Sequence, residues 1–156
     1  MNLEENVQVK QQKTTTPQVP QARKWYFFDL ENKIPGRIAT QVATLLRGKQ
    51  EREFLANFDL GSFVVLVNAG KVKFTGNKLN GKYYYNHSGY PGGLRQRSTK
   101  IMLEKYPVEL MRRIIWGMMP KNKLSRKQIK RLFIFPDEAH NLQAQEKNFI
   151  KIKIDL

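Results

Sequence analysis

The feature that most constrains the fold of this chain is a strand, helix and strand pattern in its first half. Residues 25–30, WYFFDL, form a short aromatic and apolar run that is typical of a buried strand. Apolar residues then recur at helical spacing over residues 37–47, and Gly48 is placed to end that helix. Residues 63–68 are a continuous β-branched run, which indicates a strand buried on both faces. This order predicts a right-handed crossover and a parallel sheet covered by helices.

The second half of the chain predicts shorter elements. Ser98 and Pro107 are residue types that begin helices, since Ser caps the N-terminus and Pro suits the first helical position. We therefore expect short helices to begin at these two residues, the second of them closed by Gly117. The other predicted elements are extended segments at 71–74, 82–86 and 132–135, a turn at 75–78, a basic helix at 125–131 and an alternating strand at 150–156.

Length and composition predict one α/β domain with two flanking segments. The chain has 156 residues, of which 40% are hydrophobic, and this is enough for one core and not for two. Residues 1–22 are rich in Gln, Thr, Asn and Pro, so we expect a disordered arm that cannot offset the entropy of ordering. We place the domain at residues 23–145. Residues 146–156 form a C-terminal extension whose alternation fits pairing at a sheet edge or against a partner.

Composition also argues against several functional classes. The chain has no Cys, which excludes disulfides and thiolate zinc sites, and its two His residues are too few for a His-based metal cluster. No run of about 18 apolar residues would span a membrane, and the N-terminus lacks the plan of a signal peptide. A helix lying on a membrane surface would need exposed apolar residues, whereas the bases here are spread over several elements. We therefore expect a soluble intracellular protein without a metal or a cofactor.

Positive charge is concentrated in one stretch of the chain. The formal net charge is +15, and residues 71–131 contain 16 Lys and Arg against only Glu104 and Glu109, which gives that stretch +14. Such a concentration attracts a polyanion and supports binding through counterion release, without any catalytic group. The sequence therefore predicts a nucleic acid as the partner.

The most specific segment is residues 82–98, KYYYNHSGYPGGLRQRS. Three consecutive tyrosines offer stacking faces, the glycines let the main chain approach a sugar-phosphate strand, and Arg95 and Arg97 supply charge. Alternation predicts that Tyr84 faces inward while Tyr83 and Tyr85 face the other way. The alternative is that the tyrosines belong to the core and the glycines form only a turn.

A second basic cluster lies at residues 119–131, MPKNKLSRKQIKR. Its cations fall at spacings of three and four residues, which places them on one broad helix face that Arg112 and Arg113 can extend. Like charges at this spacing repel one another, so the face is either neutralised by an anionic partner or simply solvated. The five cations are Lys123, Arg126, Lys127, Lys130 and Arg131.

Signals of catalysis are weak in this sequence. The turn FTGNK at residues 74–78 resembles half of a phosphate-cradling loop but lacks the spacing of a nucleoside triphosphate site. Asp29, Glu31 and Asp59 are the carboxylates near predicted strand ends, where an α/β enzyme keeps its chemistry. No nucleophile pairs with them at a recognisable spacing, and acids at such places more often cap helices or turns. An RNA-processing enzyme is therefore the weaker alternative.

Three ordered motifs carry a resemblance to a known family. NAGKVKFTGNK at residues 68–78, KYYYNHSGYPGGL at 82–94 and GMMPKNKLSR at 117–126 resemble the universal large-subunit ribosomal protein L-thirteen family, bacterial type. Residues 25–49 look like the opening strand and helix of that family, so the similarity covers about residues 23–145. The resemblance implies a single three-layer α/β/α domain with a mainly parallel four-stranded central sheet, and no enzymatic activity.

The resemblance also implies a function and a set of contacts. It implies a structural constituent of the large ribosomal subunit that binds large-subunit ribosomal RNA and contributes to early subunit assembly. Its other expected partners are neighbouring large-subunit proteins in cytoplasmic ribosomes, with neither a membrane nor a small-molecule substrate, and a regulatory role off the ribosome stays open. The implied RNA contacts lie at residues 75–78, 87–94 and 121–126. Together with the charge pattern, they predict these RNA-binding residues: Lys71, Lys73, Thr75, Gly76, Asn77, Lys78, Lys82, His87, Ser88, Gly89, Tyr90, Pro91, Gly92, Gly93, Arg95, Arg97, Arg112, Arg113, Lys121, Lys123, Arg126, Lys127, Lys130 and Arg131.

Overall fold

The structure, a computed structural model, describes residues 23–152 as a succession of short strands and helices. The predicted arm at residues 1–22 and the end of the alternating tail, residues 153–156, lie outside the described residues. The elements in chain order are β1 (Trp25–Asp29), α1 (Pro35–Arg47), β2 (Phe63–Val67), α2 (Lys78–Gly81), β3 (Tyr83–His87), β4 (Leu94–Ser98), α3 (Thr99–Lys105), α4 (Pro107–Met118), α5 (Lys123–Gln128), β5 (Leu132–Ile134) and β6 (Phe149–Lys151). Short 3-10 turns occupy Ala69–Lys71, Ile129–Arg131 and Gln143–Asn148.

Four parallel strands form the central sheet in the order β5, β2, β1, β6. β1 pairs along its whole length with β2, and the two strands are joined through α1, so the predicted strand, helix and strand unit is confirmed. The predicted α/β class with a four-stranded parallel sheet is confirmed as well. Of the alternating tail, the described part contributes β6, which pairs with β1 at the edge of the sheet.

One face of the sheet and two helices form the core. Phe28 and Leu66 lie opposite each other in β1 and β2, and both are fully buried. α1 and α4 contact each other and pack on this face, where Val42 and Ile115 are also fully buried. Gly48 ends α1 with a φ of 76°, in the left-handed region that favours glycine. The amphipathic pattern of α1 thus matches the side on which it is buried.

The opposite face of the sheet is aromatic. Trp25 stacks on Phe63 with ring centroids 4.3 Å apart, and its ring lies 5.8 Å from Phe133 and 6.1 Å from Phe149. All four side chains are partly buried. The imidazole of His140, in the segment that follows β5, lies 5.9 Å from the ring of Phe149. This segment therefore helps to cover the aromatic face.

Several predicted elements begin or end elsewhere. Residues 71–74, predicted to be extended, belong to no strand among the described residues, and Lys71 is the last residue of a 3-10 turn. α4 continues to Met118, so Gly117 lies inside the helix and does not close it. α5 begins before Ser125, because the Oδ1 atom of Asn122 accepts a hydrogen bond from the Ser125 amide at 2.8 Å and caps the helix there. β4 and α2 were not predicted.

Candidate nucleic-acid interface

Residues 82–98 fold as an antiparallel hairpin of β3 and β4, separate from the central sheet. Tyr84 lies opposite Arg97, and His87 lies opposite Leu94. Thr99 closes the base of the hairpin, since its amide and its hydroxyl both donate to the carbonyl of Lys82 at 2.9 Å. The hairpin therefore holds its aromatic and basic side chains on a fixed base.

The tyrosines of β3 divide as alternation predicts. Tyr83 and Tyr85 are 46% and 58% exposed, whereas Tyr84 is partly buried with its hydroxyl oxygen enclosed. Tyr90, in the loop of the hairpin, is 74% exposed. The alternative in which all these tyrosines belong to the core is therefore wrong. Three rings are available for stacking on a partner.

The glycine-rich loop at residues 88–93 is a turn with an open surface. Gly89 and Gly92 have φ values of 90° and 71°, and a Cβ atom added at either position would meet nothing within 4 Å. Gly93 differs, because a Cβ atom there would lie 2.1 Å from the Oγ atom of Ser88. The amide of Gly93 also donates to the carbonyl of Tyr90 at 2.9 Å and closes the loop. Gly93 is thus required by the loop itself, while the backbone at Gly89 and Gly92 can be approached from outside.

Other side chains of the hairpin are engaged within the protein or face solvent. The Nδ1 atom of His87 accepts a hydrogen bond from the amide of Gly89 at 2.9 Å. The guanidinium of Arg97 lies 4.8 Å from the ring centroid of Tyr106, which fixes it over the start of α4. Arg95 is exposed. Further exposed residues of the predicted RNA-binding set are Lys82, Ser88 and Pro91.

The turn at residues 75–78 forms a second exposed strip. Gly76 has a φ of 61°, and the Nζ atom of Lys78 lies 3.5 Å from the Oγ1 atom of Thr75. Lys71, near the start of the strip, lies 3.8 Å from the carboxylate of Glu31, so part of its charge is offset. The residues of this strip are all exposed: Lys71, Lys73, Thr75, Gly76, Asn77 and Lys78.

The basic helix presents four of its five predicted cations to solvent. Lys123, Arg126 and Lys127 on α5 are exposed, and so is Lys130 in the 3-10 turn that follows. Lys121, just before α5, extends this strip. The ammonium group of Lys121 lies 4.2 Å from the ring centroid of Trp116 and donates to the carbonyl of the same residue.

The fifth cation, Arg131, is buried and is not presented to solvent with the other four, so its place on the exposed helix face was predicted wrongly. Its guanidinium donates to both carboxylate oxygens of Asp59, at 2.6 and 2.5 Å, and to the carbonyl of Leu46 at 3.3 Å. Burial by itself would raise the pKa of the Asp59 carboxyl, but the hydrogen bonds and charge of Arg131, together with Arg23, hold that pKa below its ordinary value. Arg131 is therefore a structural residue whose charge is already neutralised.

Helix α4 connects the hairpin to the basic helix. Arg112 is exposed, whereas Arg113 is partly buried and pairs with Glu109, with its Nη2 atom 2.6 Å from the carboxylate. The Nη1 atom of Arg113 also lies 3.5 Å from the carbonyl of Tyr85 in the hairpin. Of these two arginines, Arg112 therefore extends the exposed basic face, whereas the charge of Arg113 is offset by Glu109.

Two clefts meet at Arg113. The first, of about 360 Å³, lies between the turn, the hairpin and α4, and its lining includes Lys78, Lys82 and Tyr84. The second, of about 470 Å³, lies between α4 and the end of the basic helix. The residues that line the second cleft are Glu109, Arg112, Arg113, Trp116, Arg126, Ile129 and Lys130. The three basic segments are therefore parts of one connected surface.

The contribution of Trp116 to the second cleft was missed at the level of sequence. Trp116 directly precedes Gly117, the predicted end of that helix, and the sequence predicts no binding role for it. A signal was present, however, because Trp116 follows Arg112 by four residues and therefore shares its helix face. That spacing places an aromatic ring beside an exposed cation.

The carboxylates considered for catalysis have structural partners. The Oδ1 atom of Asp29 accepts from the amide of Glu31 at 3.0 Å and from the side chain of Asn68 at 2.8 Å, which ties together the ends of β1 and β2. Asp59 is held by Arg131. Over residues 23–152, no group of three or more His, Cys, Asp or Glu side chains could hold a metal ion. None of the helices in that range combines the length and the apolar character that a membrane span requires.

Comparison with known proteins points to a family of ribosomal proteins. Residues 23–141 match the family model of ribosomal protein L13. The chain is 48% identical over 124 residues to the large ribosomal subunit protein uL13 of Syntrophotalea carbinolica, which covers 80% of this chain and 87% of that protein. It is 45% identical over 130 residues to the uL13 protein of Geobacter sp. strain M21, with 83% and 92% covered. It is 42% identical over 130 residues to that of Buchnera aphidicola, again with 83% and 92% covered.

Proposed function

This chain belongs to the ribosomal protein L13 family, and we propose that it is a structural, non-enzymatic constituent of the large ribosomal subunit that binds large-subunit ribosomal RNA. In this role it works in cytoplasmic ribosomes and contributes to early assembly of the subunit. Its remaining partners are neighbouring proteins of the same subunit. Membership of the family supports the assignment to the large subunit. The exposed basic surface of the chain supports the proposed mode of RNA binding.

The observation that carries the binding mode is the continuity of the basic surface. Arg113 contacts the hairpin through the carbonyl of Tyr85 and lines both clefts, so the turn, the hairpin and the basic helix lie side by side. The cations of this surface come from a stretch that nets +14, and few acids interrupt it. An RNA that follows this surface meets both phosphate-binding side chains and exposed tyrosine rings.

Each part of the surface has a distinct role in binding. The exposed Lys and Arg side chains neutralise phosphates where RNA segments approach one another, and this term carries no sequence information. The open backbone at Gly89 and Gly92 fits against a sugar-phosphate strand. The α/β core holds these contacts at fixed spacing, so recognition is mainly of RNA shape.

Salt dependence tests the electrostatic part of this proposal. The affinity of the full chain for a fragment of large-subunit ribosomal RNA is measured at several salt concentrations. We expect a steep fall, with a log-log slope of roughly −0.7 to −0.9 for each of several neutralised phosphates. A slope near zero would reject binding through the basic surface.

Co-sedimentation tests whether the chain is a structural constituent or a regulatory binder. Large subunits that contain the chain are washed at high salt and collected by centrifugation. A structural constituent stays with the subunit, because many contacts hold it at once. Loss of the chain from washed subunits would favour a transient regulatory protein instead.

A further inference from the structure

The cleft between α4 and the end of the basic helix combines an apolar wall with a cationic rim. Trp116 and Ile129 line it with apolar surface, and both are partly buried. Arg112, Arg126 and Lys130 also line it, and all three residues are exposed, so their aliphatic stems can cover apolar surface while their charges remain accessible. Its volume of about 470 Å³ lies within the range of pockets that bind small organic groups.

The cleft has positive charges, unpaired within the described part of the chain, that can bind an anion. Glu109 is the acidic residue of its lining, and the carboxylate of Glu109 is already paired with Arg113 at 2.6 Å. Within residues 23–152, no ion pair engages the other three cations, Arg112, Arg126 and Lys130. The net charge of the cleft is therefore positive, and its anionic occupant must satisfy these three side chains.

The indole of Trp116 is held in place by Lys121. The ammonium group of Lys121 lies 4.2 Å from the ring centroid, within the range of a cation–π interaction, and also bonds the Trp116 carbonyl. A ring fixed in this way loses little rotational freedom when a second flat group stacks on it. The cleft thus offers a preorganised aromatic surface next to cations.

We propose that this cleft binds one unstacked nucleotide of single-stranded RNA, which is a finer feature of the proposed function and rests on it. The base packs against Trp116 and Ile129, and the flanking phosphates lie at Arg112, Arg126 and Lys130. A nucleotide combines a flat apolar ring with a charge on either side of it, which is the combination that the cleft presents. An acidic peptide supplies the charge but brings a flat ring only where it also contains an aromatic residue.

Tryptophan fluorescence tests the stacking. The chain has two Trp residues, so Trp25→Phe leaves Trp116 as the single indole while keeping an aromatic ring in the sheet. The full-length variant, with its thermal midpoint checked, is titrated with a 12-nucleotide single-stranded RNA, a duplex RNA of the same length, heparin and a poly-glutamate peptide. We expect single-stranded RNA to quench Trp116 most strongly at saturation. Equal quenching by heparin or duplex RNA would overturn the proposal, and stronger quenching by poly-glutamate would assign the cleft to a protein partner.

Substitution of Trp116 provides a second test, which distinguishes stacking on RNA from a purely structural role of this residue. Trp116→Leu keeps an apolar side chain but removes the ring, and we expect its affinity for single-stranded RNA to fall by roughly 5-fold to 150-fold with an unchanged salt slope. Trp116→Phe restores a ring and should recover most of the affinity. If both variants bind like wild type, the cleft proposal is wrong although the proposed function stands. If wild type itself binds ribosomal RNA without salt dependence, the proposed binding through the basic surface fails, whatever the cleft variants do.

Discussion

Asp59 and Arg131 form a two-point ion pair across 72 residues of sequence, with nitrogen–oxygen distances of 2.6 and 2.5 Å. The side chains are only 22% and 11% exposed. The pair joins the loop before β2 to the end of the basic helix. It therefore fixes the position of the exposed cations that precede Arg131, and it links the stability of the fold to the geometry of the interface.

Removing one partner of this pair should destabilise the protein. We expect Asp59→Asn to lower the free energy of unfolding by about 2 to 3 kcal/mol, because it leaves a largely buried guanidinium without a counter-charge. Chemical denaturation of both proteins measures the difference. Glu51→Gln is a matched control, since Glu51 pairs with Lys24 at 2.9 Å in an exposed setting and should contribute about 1 kcal/mol or less. Equal losses in the two variants would contradict the structural role of the buried pair.

The same pair predicts a dependence of stability on pH. Because the pKa of the Asp59 carboxyl in the folded protein lies below its ordinary value of 3.8, the carboxylate contributes fully above that value. The contribution is lost as the pH falls from 3.8 toward the lower pKa of the folded state. We therefore expect the gap in unfolding free energy between wild type and Asp59→Asn to narrow between about pH 5 and about pH 3. A gap that does not change over this interval would show that the ionised carboxylate is not what stabilises the fold.

Substitution of exposed cations of the basic helix should affect RNA binding, whereas substitution of the buried Arg131 should affect stability. Changing Arg126, Lys127 and Lys130 to Gln keeps helix propensity, so we expect weaker RNA binding and a salt slope reduced by roughly one contact for each charge removed. Low salt should largely restore binding. The control Lys49→Gln removes an exposed charge outside the basic stretch and should change neither quantity. The triple variant and the control are compared on one ribosomal RNA fragment, and an unchanged slope in the triple variant would mean that these side chains are simply solvated.

Arg131→Gln provides the contrasting case. It removes a charge that is already paired with Asp59, so we expect lower stability and a salt slope close to that of wild type. Denaturation and RNA titration of this single variant measure the two effects separately. A slope that falls as much as it does for an exposed cation would place Arg131 at the RNA after all.

The parts of the fold that were predictable from sequence are those encoded locally. The β-branched run of β2 and the amphipathic spacing of α1 each specify an element without reference to the rest of the chain. β4 has the sequence LRQRS, with one large apolar residue, and it is a strand because it pairs with β3. Its existence depends on a tertiary contact that no local pattern records.

The same distinction explains why Arg131 is not on the exposed helix face. Helical spacing placed Arg131 beside Lys127, but the chain leaves the α-helix after Gln128 and tightens into a 3-10 turn at Ile129–Arg131. With three residues in each turn, successive side chains rotate by about 120° and no longer follow the α-helical face. Its carboxylate partner also comes from a distant loop. Charge composition therefore predicted a candidate interface, while tertiary structure decided which of its charges are exposed.

The last prediction concerns the hairpin loop and distinguishes a steric block to RNA binding from distortion of the loop itself. Gly92→Asn suits the left-handed backbone there, since Asn adopts that conformation more readily than other side chains, and the added group projects into open space. We expect an unchanged thermal midpoint and an affinity for the RNA fragment reduced by about tenfold or more, equivalent to about 1.4 kcal/mol. Because the cause is steric, low salt should not restore binding.

Gly93→Ala is the matched control for Gly92→Asn. Its Cβ atom would lie 2.1 Å from the Oγ atom of Ser88, so this change should distort the loop even without RNA. Replacing Gly92 and Gly93 with Val together would mix the two effects, which is why the single variants are informative. Circular dichroism first confirms folding, and both proteins are then titrated at several salt concentrations. Wild-type binding by Gly92→Asn would mean that the glycine-rich loop is only a turn, and that the RNA is held by the cations and tyrosines around it.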